Sequence, residues 1–118
     1  TEGIEVFTLA ITPKSVSNKL KITVNITGAT PNASWIQVAL FKDSDANAIA
    51  ASTHFVNTNS SFSVPLNHFM TAPGTGTYTV KVRVGCHNTV NITVNGTSGV
   101  RRLGGVAASS ITIEEIKA

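Results

Sequence analysis

Cysteine and histidine stand side by side once in this chain, at Cys86 and His87, and that pair is the nearest approach to chemistry its residues offer. Cys86 with a distant histidine and Asp43 or Asp45 could form a nucleophile set. Adjacency keeps Cys86 and His87 from sharing a metal, because neighbouring residues on a strand point to opposite faces. Cys86 follows Gly85 at the end of an alternating run, where a half-buried structural thiol is expected. The remaining histidines, His54 and His68, have no second ligand at metal spacing, so no metal site is expected. Asp43, Ser44 and Asp45 begin like a calcium loop, but Ala46, Asn47 and Ala48 follow and no later glutamate closes it. Glu2, Glu5, Glu114 and Glu115 form no pair suited to acid–base work. GTGT at residues 74–77 leads into a strand rather than a helix, so it is no phosphate cradle. These residues predict no catalytic centre and no cofactor.

The elements around them are strands. In TYTVKVRVG (77–85), Tyr78, Val80, Val82 and Val84 alternate with Thr79, Lys81 and Arg83. In TVNITVNG (89–96), Val90, Ile92 and Val94 alternate with polar residues. Period two means one buried and one wet face, and the short break predicts an antiparallel pair. The same pattern recurs upstream. Residues 4–12 read as a first strand stopped by Pro13. Leu20, Ile22, Val24 and Ile26 mark a second, followed by the turn GATPN at 28–32. A third strand at 34–42 and a return at 48–56 flank the polar turn DSDAN at 43–47. Phe62, Val64 and Leu66 make a fifth strand that Pro65 pushes to an edge. Residues 109–115 close the series. About eight strands at even spacing, with no helical period, predict an all-β antiparallel sandwich of jelly-roll type in one domain, 1–118.

Composition agrees. Of 118 residues, 42% are hydrophobic and 13% charged, which favours a packed core over a disordered chain. The net charge of +3 is spread along the sequence, with Arg101–Arg102 the one adjacent basic pair, so no nucleic-acid face is expected. No apolar run approaches the ~18 residues that span a bilayer, so no membrane insertion is expected. The segment TEGIEVFTL carries two glutamates and no basic start, unlike a signal peptide. A single cysteine excludes an internal disulfide and points to a reducing compartment or to support from partner chains. Acceptor sequons occur at Asn25, Asn32, Asn59, Asn91 and Asn95, with Asn25 and Asn91 placed inside strands; strand composition accounts for most of them.

Two sets of residues remain as candidates for binding. Loops at 57–61, 67–76 and 97–105 carry Asn57, Thr58, Asn59, Phe69, Met70, Arg101 and Arg102. Phe7, Leu9, Trp35 and Phe41 lie opposite the main apolar alternation of their strands. They are read as an oligomer interface, because a small monomer would leave them exposed.

The order ITPKSVSNKLKITVNI (11–26), ALFKDSDANAIA (39–50), TYTVKVRVG (77–85), TVNITVNG (89–96) and ASSITIEEI (108–116) resembles the β-rich surface modules of tailed-bacteriophage virion proteins. Their pattern is an S-x-K-L opening, an L-F-x-D hairpin, a T-Y-x-V strand, an N-G turn and a closing S-S-I-x-I. The resemblance implies a jelly-roll module, trimeric, on a tail fibre, spike or capsid fibre. It implies contacts with other virion proteins and a host receptor or glycan. It makes Lys19, Leu20, Leu40, Phe41, Lys42, Asp43, Tyr78, Arg83, Gly85, Asn95, Gly96, Ser110 and Ile111 scaffold positions. Cys86–His87 and the loop TSGVRRLGG depart from that pattern. A capsid decoration protein and a secreted glycan-binding sandwich are the alternative readings.

Overall fold

The computed structural model describes residues 3–118; Glu2 and the start of the expected 1–118 domain lie outside them. Seven long strands form the body. They are β1 (Ile4–Ile11), β2 (Lys19–Thr30), β3 (Ser34–Lys42), β4 (Ala48–Val56), β5 (Ser60–Thr71), β6 (Tyr78–Cys86) and β10 (Ser110–Ile116). Three two-residue strands, β7 (Thr93–Val94), β8 (Gly96–Thr97) and β9 (Val100–Arg101), lie between β6 and β10. A single 3-10 turn at Leu103–Gly105 follows β9.

One sheet runs β1-β6-β3-β4 and the other β10-β2-β5, with every pairing antiparallel. This is the expected all-β sandwich. The strand order does not show the jelly-roll detail, since consecutive β3 and β4 are neighbours and β1 and β10 fall in opposite sheets. Between the sheets, Leu20, Ile22, Val24 and Ile26 of β2 face Ile36, Val38 and Leu40 of β3 and Val80, Val82 and Val84 of β6, all 5% exposed or less. Burying each such side chain contributes roughly 1.5–3 kcal/mol, which makes the alternation in β2, β3 and β6 the main source of stability.

Four expectations need correction. The stretch 89–94 does not hairpin onto β6. Both edges of β6 are taken, by β1 and β3, so the chain crosses to the other sheet and β7 pairs with β2 at Gly28 and Ala29. A Cβ on Gly28 would stand 2.2 Å from the Thr93 carbonyl oxygen, so only glycine admits this crossing. The turn at 28–32 shortens because β2 runs on to Thr30. The loop at 67–76 is strand as far as Thr71, with Met70 opposite Leu20 and Phe69 opposite Lys21. Asn91 lies outside the strands. Pro65 does sit in an edge strand, opposite Asn25.

Candidate surface sites

The expected oligomer-interface residues part company. Phe7 and Leu9 pair with the buried Val82 and Val80, which turns them toward the core side of β1. The register slips between Glu5 and Phe7, and that slip inverts the phase an even alternation would give. Phe41 is 6% exposed and covered by its own chain, at the end of β3 where the hairpin closes and β4 slips a residue past it. These three therefore do not stand on the outer face. Trp35 does. It is 49% exposed, and its partner across the strands is Phe55, 46% exposed, with the rings edge to face at 5.2 Å.

Around that pair the outer face of β1-β6-β3-β4 grades from apolar to charged. Beside Trp35 and Phe55 come Gln37 and Thr53 in register, with Gly85 alongside. Ala39 and Ala51 follow, next to Arg83. On β1, Glu5 reaches Arg83 at 3.7 Å and Lys81 at 3.9 Å, and Arg83 also donates to the Gly3 carbonyl. Phe55 was not singled out from the sequence. Counting outward from Asp45, the middle of the DSDAN turn, pairs position 35 with 55 and would have found it.

The strands carrying this face end differently. Edge strands left bare invite another chain, and proteins guard them with charge, proline or a bulge. β1 has the slip beside Val6 and the Glu5 ion pairs. β10 carries Glu114 and Glu115, and β5 carries Pro65 in its middle. β4 is AIAASTHFV, without a formal charge or proline, and its one irregularity falls near its start. Trp35 and Phe55 stand on the face beside that unguarded edge.

The candidate loops fall at two ends. Asn57, Thr58 and Asn59 form the β4–β5 turn; Asn59 has φ 56° and donates its backbone N–H to Pro31. With residues 87–92 and 97–99, Asn59 lines an open cleft of about 1130 Å³. Its walls include Val6, Val84 and Ile92, and among the described residues Cys86 and His87 are the titratable groups on it. Burial pushes the Cys86 thiol above its ordinary value, with a smaller opposing pull from Ser34. A raised thiol is a poor nucleophile at neutral pH. Its neighbour His87 is exposed and donates its backbone N–H to Trp35. Among the described residues no three His, Cys, Asp or Glu side chains gather as a metal site would require. Phe69 and Met70 lie at the other end of β5. Phe69 is 59% exposed, and Met70 is half-buried and accepts a hydrogen bond from the Tyr78 hydroxyl.

Arg101 and Arg102 sit in the small β8–β9 hairpin and the turn after it. Arg101 donates to the Gly105 carbonyl and Arg102 to the Thr97 hydroxyl. The Asn95–Gly96 turn anchors this excursion. Asn95, at φ 66°, donates its backbone N–H to Thr27 and accepts one from Ser109. Of the sequons, Asn32, Asn59 and Asn91 are exposed, Asn95 is occupied in that turn, and Asn25 accepts from Ser63. No protein-family model matches the chain, and no curated protein sequence matches it either.

Proposed function

We propose that the chain is a non-enzymatic structural module of a tailed-bacteriophage virion, of the tail-fibre, spike or receptor-binding type, that works by self-assembly and loop presentation. The observation that supports it most is the exposed Trp35–Phe55 pair beside the unguarded edge of β4. A sister copy laid there removes two aromatic faces from water and gives partners to free backbone groups. The resemblance in the strand motifs supplies the virion setting and the trimer. Repetition of the module multiplies weak loop contacts through avidity. A head decoration or head-fibre placement uses the same surfaces. Sedimentation of the purified chain tests the reading: a mass near three chains is expected, and a 12.3 kDa particle at all concentrations would overturn it.

A second reading rests on the same pair. Trp35 beside Gln37 and Thr53 offers an aromatic face with hydrogen-bonding groups, the surface a sugar ring stacks on. A glycan array that shows binding by the single chain, lost in Trp35→Ala, would favour a glycan-binding sandwich.

A further inference from the structure

The excursion between β7 and β10 presents a second surface, richer in exposed aliphatic and basic side chains than the other turns of the described residues. Leu103 is 80% exposed, Val106 76% and Val100 55%. No carboxylate occurs between Gly96 and Thr112, while Arg101 and Arg102 lie among the three aliphatic residues. The other turns carry less of this combination: residues 43–47 are acidic, 31–33 and 57–59 carry no formal charge, and 12–18 holds one lysine, Lys14, and one exposed aliphatic residue, Val16. The backbone is held in unfavourable geometry to make this tip. Leu103 has φ 54°, a region that side chains of its kind avoid, and Gly104 and Gly105 follow at 67° and 85°. The arginine contacts to Gly105 and Thr97 keep both guanidinium groups at the tip.

From this arrangement we propose that the 100–106 tip docks on an anionic lipid surface, with Val100, Leu103 and Val106 entering the headgroup region and Arg101 and Arg102 meeting lipid phosphates. Charge complementarity selects the anionic partner. Shape favours lipid over a protein socket. The aliphatic residues come from a hairpin and a 3-10 turn, with Gly104 and Gly105 between Leu103 and Val106, not from one strand face or groove. A fluid interface accepts such a tip without a matching cavity. This is attachment at the surface, not a span, and it is independent of the virion reading.

The test is sedimentation of the full chain with vesicles of phosphatidylglycerol and phosphatidylcholine in equal parts, against vesicles of phosphatidylcholine alone. Binding to the first and not the second is expected, weakening as salt rises. Arg101→Gln and Arg102→Gln should each lower it about fivefold, and Leu103→Ser with Val106→Ser at least as much. All four side chains are exposed, so circular dichroism should report an unchanged fold. Equal binding to both vesicles, no binding, or binding indifferent to these variants would overturn the proposal. Capture by soluble polyglutamate without capture by vesicles would overturn it too, pointing to an acidic protein surface.

Discussion

The two edges of the four-stranded sheet have been treated in opposite ways. At β1 the register slips beside Val6, and Glu5 draws in Lys81 and Arg83, so an incoming strand would meet fixed charge and a kinked backbone. At β4 a run of nine residues carries no formal charge, and its neighbouring face holds half-exposed tryptophan and phenylalanine. Both edges belong to the same sheet and share its core, so stability does not explain the difference. An edge is left bare and apolar at a cost in solubility, and that cost is justified where a partner covers it.

The strongest way to break the comparison is to guard β4 as β1 is guarded. Thr53→Lys with Ala51→Lys puts like charges on the copy that would dock there. Self-association measured by light scattering should fall at least a hundredfold, since charges brought together at an interface cost several kcal/mol. Circular dichroism should show the fold intact, because both positions face water. Next in size is a change within the sandwich. Gly28→Val drives a side chain into the Thr93 carbonyl and the Phe62 ring and should release β7 from β2. Urea unfolding should show a loss of about 2 kcal/mol or more, the range for overpacked interior sites. Removing the guard on β1 is milder. Glu5→Ala loses two partly exposed ion pairs and should cost ~0–1 kcal/mol by the same assay.

The smallest effect concerns acid. Glu115 accepts from the Asn18 side chain and the Lys14 backbone N–H, each at 2.7 Å, and these bonds hold its carboxyl below the ordinary 4.5. A depressed carboxyl stabilises the fold above its unfolded value, and the contribution fades as pH falls through the lower folded one. Glu115→Gln should therefore be slightly less stable than the native chain at neutral pH. The two should converge in acid below 4.5, measured by urea midpoints across pH.

Much of this architecture was legible. The alternations of β2, β3 and β6 put the right residues in the core, because each strand has one dry and one wet face and no irregularity along most of its length. What failed did so where long-range pairing overrides local pattern. The slip beside Val6 inverts the side on which Phe7 and Leu9 stand, and nothing in IEVFTLAI announces it. Thr89 to Val94 alternates like a paired strand, yet both flanks of β6 were already taken. Phe69 and Met70 looked like a loop island after Asn67 and His68, and pairing with β2 made them strand. Of the candidate surface, Trp35 was visible from its phase. Phe55 was visible only through the hairpin count, and the bareness of β4 only once all four edges could be set side by side.

The most direct measurement is amide hydrogen exchange at low and high protein concentration. If β4 is a contact edge, its amides between Ala50 and Phe55 should slow as concentration rises, while those of the β1 edge keep their rates. Equal, concentration-independent exchange along both edges would contradict the account.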